Sequence, residues 1–166
     1  MAYDNIYNEK PTNSLIPEGV YECILTAEEK RNKFNQEIEL NLCFRIRKEI
    51  GQSNEGRLVF STVKHDKNYP DEYNHSIISS ILGTVPERKS FKDNEQLIQF
   101  LNGLCILTPI YIEKANEYHD TDKNKINFFK LSASNVPPTE SEKKEFGLNN
   151  VSHDGSTVAN DDDLPF

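Results

Sequence analysis

The chain has 166 residues, of which 36% are hydrophobic and 28% are charged, and its formal net charge at pH 7 is −8. This length supports one ordinary hydrophobic core and argues against two independent domains. No apolar run approaches the roughly 20 residues that a membrane-spanning helix needs, and the polar opening lacks the basic and apolar regions of a signal peptide, so we expect a cytoplasmic protein.

The acidic excess is concentrated towards the C-terminal end. Residues 1–135 contain 17 Lys and Arg against 20 Asp and Glu, a balance of −3, whereas residues 136–166 contain 2 against 7, a balance of −5. A uniformly acidic surface would repel a nucleic acid, which is a polyanion. Because most of the excess lies in the last segment, the rest of the chain keeps the capacity to bind one.

The first half of the chain is predicted to form three strands. Residues 1–17 are polar, end in helix and strand breakers, and are predicted to be an N-terminal arm. Residues 20–27 are apolar and β-prone, and residues 37–47 alternate between apolar and polar side chains as a half-buried strand does. The short polar segment between them predicts a hairpin. Residues 57–63 follow a turn-forming segment and predict the third strand.

Two helices are predicted next, followed by two further strands. Apolar residues recur at helical spacing over residues 73–82, with Asp71 as a candidate N-cap and Gly83 as the stop. A shorter helical pattern occupies residues 93–101. Alternation over residues 104–114 and a β-prone run over residues 126–132 predict the fourth and fifth strands.

This order of elements is typical of the OB-fold, a five-stranded Greek-key barrel whose cleft holds oligonucleotides. We therefore predict a mainly β protein with an OB-fold over residues 18–135 and one or two helices between strands 3 and 4. A small β-sandwich or a jelly-roll fragment is the alternative, because five strands and a helix do not fix the topology. From residue 136 onward the low hydrophobicity and missing periodicity predict a disordered acidic tail over residues 136–166.

The tail ends in a short segment whose side chains have separate physical uses. These residues are Asp161, Asp162, Asp163, Leu164, Pro165 and Phe166. The ring of Phe166 suits an apolar pocket and its carboxylate suits an Arg or Lys, while the three aspartates attract a basic surface. Pro165 lowers the entropic cost of docking by fixing its own φ. The segment is predicted to bind partner proteins.

This ending resembles that of the bacterial and phage single-stranded-DNA-binding protein family, whose members end in Asp-Asp-Asp-Ile/Leu-Pro-Phe after a disordered linker. The resemblance implies binding of single-stranded DNA without sequence specificity, in the cytoplasm of a bacterial host. It also implies that the tip docks onto a helicase, nuclease, primase or recombination mediator during replication, recombination and repair. The core is similar to divergent phage-encoded members in element order. A tail that only keeps the protein soluble is the alternative.

Sequence-tolerant binding of a single strand needs cations beside the phosphates and aromatic faces for the bases. Candidates with this chemistry lie at the first hairpin tip, on strands 2 and 3, and in the loops that follow strands 3 and 4. They are Lys30, Arg31, Lys33, Phe34, Arg45, Arg47, Arg57, Phe60, Lys64, Lys67, Tyr69, Tyr118, His119, Lys123, Lys125 and Phe128. The alternatives are pairing of the strand-2 arginines with Glu37 or Glu39, and burial of the two phenylalanines in the core.

Catalytic and metal-binding motifs are not found in the sequence. It has no Cys-x-x-Cys, His-Glu-x-x-His, phosphate loop or nucleophile elbow, so we expect neither an enzyme nor a cofactor or metal. Cys23, Cys43 and Cys105 form no close pair and indicate free thiols in a reducing compartment. A two-metal nuclease, a phage recombination accessory or strand-annealing protein, and an adaptor without DNA affinity are the other hypotheses. The sequence leaves open a monomer or a homo-oligomer.

Overall fold

The computed structural model of the chain describes residues 14–87 and 89–148, which form a mainly β structure as predicted. The elements within these residues are β1 (Gly19–Arg31), β2 (Ile38–Ile46), β3 (Leu58–Val63), α1 (His75–Leu82), α2 (Asn94–Leu101), β4 (Cys105–Glu113), β5 (Lys123–Ile126), a 3-10 helix (Phe128–Lys130), β6 (Ser132–Ala133) and α3 (Glu140–Phe146). Both predicted helices between strands 3 and 4 are confirmed. None of the described helices has the length and apolarity to cross a membrane.

The strands form one antiparallel sheet in the order β3-β2-β1-β4-β5, with the two-residue β6 paired to β4. Strand β1 is shared, since Ile24 faces Arg45 on β2 and Cys105 on β4. The two end strands, β3 and β5, approach each other but form no ladder among the described residues, so the sheet is open. The structure therefore shows the predicted mainly β architecture but does not confirm the predicted Greek-key barrel. Strand β5 has only four residues before the 3-10 helix, which leaves it little edge for pairing with β3.

The core lies on one face of this sheet, beneath the first two helices. The inward residues of β2 are Leu40, Leu42, Phe44 and Ile46, all fully buried, as the alternation predicts. Helices α1 and α2 cover them with Ile78, Ile81, Leu97 and Leu101. The N-cap of α1 is Asn74, whose side chain accepts a hydrogen bond from Ile77 N at 3.1 Å, so the expectation of Asp71 as cap is wrong.

The N-terminal boundary of the folded part lies earlier than predicted. Ile16 is buried in the core, and its backbone N–H and C=O both bind the side-chain amide of Asn124, at 2.8 and 2.9 Å. The described residues 14–17 are therefore part of the domain, not of an arm, because a large apolar side chain here finds a buried site. The rest of the predicted arm, residues 1–13, lies outside the described residues.

The C-terminal boundary lies later than predicted. Helix α3 begins with a capping box, in which Thr139 and Glu142 each accept the other's backbone N–H, and ends at Gly147 with φ 70°. Glu142 and Leu148 are buried. The described fold thus continues to Leu148 instead of ending at residue 135. Residues 149–166, which include the predicted docking tip, lie outside the described residues.

Candidate nucleic-acid interface

The face of the sheet opposite the core carries a groove between β1, β2 and β3. Cys43 is the central residue, because it faces Thr26 on β1 and Phe60 on β3. The groove has a volume of about 330 Å³. Its lining residues are Thr26, Ala27, Glu28, Lys30, Asn41, Leu42, Cys43, Phe60 and Asn102. We call it the outer groove. Phe60, a predicted base platform, is 68% exposed at its wall.

The floor of the outer groove is polar but carries little charge. Asn41 accepts a hydrogen bond from Thr62 at 3.3 Å, and Lys30 lies 3.7 Å from Glu28 at the rim. Burial raises the pKa of the Cys43 thiol, and its hydrogen bond with Thr26 and the charge of Arg45 only partly offset this. The thiol is therefore neutral at pH 7. A neutral polar floor beside an exposed ring suits the flat, polar-edged surface of a nucleobase.

The tip of the β1–β2 hairpin carries the first group of predicted residues. Phe34 is 97% exposed, and Lys30, Arg31 and Lys33 are exposed around it. Arg31 donates to the carbonyl oxygen of Gln36 at 2.6 Å, which holds its side chain on the turn. The structure therefore places an aromatic ring and three cations together at this end of β1.

The β4–β5 loop lies at the opposite end of β1, because Ile110 just before it pairs with Gly19. Tyr118 is 86% exposed there, and Lys123 is exposed. His119 is held by the loop, with Nδ1 2.8 Å from the carbonyl oxygen of Thr121 and Nε2 3.2 Å from the Glu113 carboxylate. These two contacts fix the position of the His119 ring within the loop.

Lys125 differs from Lys64 and Lys67 in exposure and in ion pairing. Lys125 lies 3.9 Å from Glu113, so part of its charge is offset. Lys64 directly follows Val63, whose pairing with Leu40 puts it at the hairpin end of the sheet, and both Lys64 and Lys67 are exposed. In the same loop, half-exposed Tyr69 stacks on His75 with ring centroids 4.4 Å apart and planes 19° apart, so one face of the tyrosine is already covered.

The two strand-2 arginines are covered by helix α3. Arg47 is 0% exposed, and its guanidinium donates to both carboxylate oxygens of Glu142 at 2.8 Å and lies 3.5 Å from Glu22. Arg45 pairs with Glu145 and lies 5.8 Å from the ring of Phe146. The prediction that Arg47 binds DNA is therefore wrong, because the side chain is buried and neutralised.

The alternative prediction for these arginines, pairing with Glu37 or Glu39, is also wrong, because their partners come from α3. Glu39 is instead hydrogen-bonded to the Asn32 side chain at 3.2 Å. Burial by itself would raise the pKa of Glu142, but hydrogen bonds from Arg47 and from the backbone of Thr139 hold it below its usual range. The hydrogen bonds from Arg45 likewise lower the pKa of Glu145.

Two further predicted contacts have structural roles. Arg57 donates to the carbonyl oxygen of Ser14 and lies 3.5 Å from the side-chain oxygen of Asn54, which ties the first described residues to the sheet. Phe128 packs on the core, edge-to-face with Phe44 at a centroid distance of 5.9 Å. Its neighbour Phe129 is 80% exposed and was not predicted as a site residue. The adjacency of the two rings was the available signal, since only one of them can face inward.

Among residues 14–87 and 89–148, no group of three or more His, Cys, Asp or Glu side chains is arranged to hold a metal ion. Comparison of the sequence with protein-family models and with curated proteins finds no match.

Proposed function

We propose that the chain binds single-stranded DNA without sequence specificity, through the outer groove and the aromatic and cationic loops on either side of it. The observation that carries this proposal is the exposed ring of Phe60 in the middle of a strand, at the wall of a groove. The exposed ring offers a face on which a base can stack. Base stacking is tolerant of sequence because every base has a π-face.

The topology supports an OB-fold as the finer description of the domain. Its features are the strand order β3-β2-β1-β4-β5, the sharing of β1 by β2 and β4, and the close approach of the two end strands. In an OB-fold, the outer surface of strands 2 and 3 and the loops β1–β2 and β4–β5 hold the ligand. Phe60, Phe34 and Tyr118 occupy these three places.

The positions of the exposed lysines support contacts with the phosphate backbone of the DNA, which would add to the affinity for a single strand. Exposed lysines lie at both ends of β1: Lys33 and Lys64 at the hairpin end and Lys123 at the β4–β5 end. A strand crossing the outer groove between them would pass cations on each side. Such contacts release counterions, so affinity should fall linearly with salt concentration on logarithmic axes.

We further propose that residues 161–166 recruit proteins of replication, recombination and repair while the domain protects the strand in a bacterial cytoplasm. The support is the resemblance of this segment to the tip of phage and bacterial single-stranded-DNA-binding proteins. A partner with an apolar pocket rimmed by Arg or Lys fits its terminal phenylalanine and three aspartates. Deleting these six residues should abolish co-purification of a helicase or nuclease without weakening DNA binding.

The DNA-binding proposal is tested by fluorescence anisotropy with a labelled dT oligonucleotide of about 16 nucleotides, the largest site size of one OB-fold. Phe60→Ala should weaken binding by at least about 5-fold, since stacking contributes about 1–3 kcal/mol per base. Phe129→Ala is the matched control, because it removes an equally exposed ring outside the outer groove. Absence of binding at low salt, or equal effects of the two variants, would contradict the proposal.

A further inference from the structure

The β1–β2 hairpin carries its most exposed ring beyond the part of the sheet that packs on the core. Ala27 and Leu42 are a buried pair, whereas the last strand pair, Arg31 and Ile38, is no longer fully buried. Phe34 follows at the tip with 97% of its surface exposed. A ring in this position buries almost no surface against the domain, so it is available to contact a ligand.

The tip holds this ring in a defined place. The side-chain oxygen of Asn32 accepts the backbone N–H groups of Phe34 at 2.8 Å and Asn35 at 3.3 Å. The side-chain amide of Asn32 in turn donates to Glu39 at 3.2 Å. Gln36 adopts a left-handed φ of 64°, which closes the turn. Phe34 is thus presented by a hydrogen-bonded loop, and little conformational entropy is lost when it contacts a partner.

The charge around the ring fits a polyanion. Residues 30–36 contain three cations, Lys30, Arg31 and Lys33, and no carboxylate. The carboxylates of the adjoining strands are engaged within the protein, and one of them, Glu28, lies 3.7 Å from Lys30 and offsets part of that charge. Glu29 accepts a hydrogen bond from the Tyr73 hydroxyl, and Glu39 is bound by Asn32. The exposed Glu37 lies at the base of the turn, where its backbone N–H binds Asn35.

Phe34 is too far along the hairpin to join a base stack at Phe60. Phe60 pairs with Cys43 on β2. Cys43 lies five positions along the strand from Ile38, the first residue of β2, and this corresponds to a rise of roughly 17 Å before the turn begins. Stacked bases are about 3.4 Å apart along a strand, so the two rings would be several bases apart. A group that contacts Phe34 is therefore several bases away from the one that contacts Phe60.

We propose that the hairpin tip binds the junction at which a single strand leaves a duplex, with Phe34 stacked on the last base pair. A terminal pair offers two coplanar bases with one open face, which suits a lone ring at a tip. Apolar side chains are used elsewhere to contact and unstack base steps. Lys33 and Arg31 then lie beside the phosphates of the two diverging strands. This inference rests on the proposed function, because the outer groove must hold the strand that leaves the junction.

The test compares three DNAs in anisotropy titrations of the full chain: a dT strand, a blunt DNA hairpin, and the same hairpin extended by that dT strand. Wild-type protein should bind the extended hairpin at least about 5-fold more tightly than the free strand, the equivalent of one added stack. Phe34→Ala should weaken binding to the extended hairpin more than binding to the free strand, so that this difference is lost. Phe34→Tyr should retain it, because the ring is preserved.

Phe129→Ala serves as the control for loss of an exposed ring. The inference is overturned if Phe34→Ala weakens binding to the free strand and the junction equally, since the ring would then be an ordinary contact. It is also overturned if wild type shows no preference for the junction. Failure of wild type to bind the free strand would instead contradict the proposed function, so the two failures are distinguishable.

Discussion

Arg45 on β2 and Glu145 on α3 form a two-point ion pair, with Nη1–Oε2 and Nη2–Oε1 distances of 2.8 and 2.7 Å. Arg45 lies two residues from Cys43, so the pair is on the face of the sheet that carries the outer groove. Its Nε atom is buried without a hydrogen-bond partner among the described residues. A carboxylate from the C-terminal helix therefore engages the guanidinium group of Arg45 at both terminal nitrogens.

Glu145→Gln should strengthen binding of single-stranded DNA. The substitution removes the competing charge and leaves Arg45 able to contact a phosphate, so the slope of log affinity against log salt should become steeper by about 0.7. Glu140→Gln is the matched control, because Glu140 is exposed and pairs only with Lys143 at 3.2 Å. Anisotropy titrations at several salt concentrations measure both variants. An unchanged slope in Glu145→Gln would contradict the competition.

Arg47→Ala should strongly destabilise the domain. The substitution leaves Glu142 and Glu22 without their buried counter-charge, and breaking a buried pair in this way costs about 3–5 kcal/mol. The double variant Arg47→Met with Glu142→Leu should be less destabilised than Arg47→Ala, because no unpaired charge is left on α3. Urea denaturation followed by circular dichroism gives the free energies of unfolding. A surface-like effect below about 1 kcal/mol would show that the pair contributes little.

Protonation of Glu142 should weaken the domain in acid. Its pKa is lowered in the folded state, so its contribution is complete above the ordinary glutamate value of about 4.3 and is lost as the pH falls through the lower folded value. The free energy of unfolding of wild type should therefore fall more steeply below about pH 4.3 than that of Glu142→Gln. Urea midpoints measured on both sides of this pH provide the test, and parallel curves would contradict it.

DNA bound in the outer groove should protect the Cys43 thiol from alkylation and leave the Cys105 thiol unprotected. Cys43 lines the groove, whereas Cys105 lies on β4 outside the groove lining, and both are half-buried. Burial raises the pKa of Cys105 to about 11. Alkylation by N-ethylmaleimide at mildly alkaline pH should therefore be slow at both sites. Poly-dT should slow it further only at Cys43, as mass spectrometry of the peptides would show. Equal protection of both thiols would argue against the groove as the binding surface.

The elements with a strong periodic pattern were predictable from the sequence. Strand β2 alternates over its whole length because one face packs on the core, and the apolar spacing over residues 73–82 specifies α1. Phe34 and Tyr118 could also be placed on exposed loops, since each lies in a polar segment between strands. These features depend on local sequence, which is why they could be predicted without the fold.

The features that escaped prediction depend on partners far away in sequence. Arg47 is neutralised by Glu142, which is 95 residues away, so nothing near the arginine indicates its burial. Helix α3 has only seven residues, which is too few for a helical hydrophobic pattern to be recognised in the sequence. It is held on the sheet by the ion pairs of Arg47 with Glu142 and of Arg45 with Glu145. The sheet is open between β3 and β5 because β5 ends at Ile126. The β-prone run over residues 126–132 had instead predicted a strand that begins there.

Photocrosslinking tests the central claim most directly, because it maps which side chains contact a bound strand. The full chain would be irradiated with an oligonucleotide carrying 5-bromodeoxyuridine, and the crosslinked peptides would be identified by mass spectrometry. The proposed function predicts crosslinks at Phe60, Phe34 and Tyr118, with none at Phe129 or at the core-facing Phe128. Crosslinks confined to Phe129, or none under conditions in which the oligonucleotide is in excess at low salt, would contradict it.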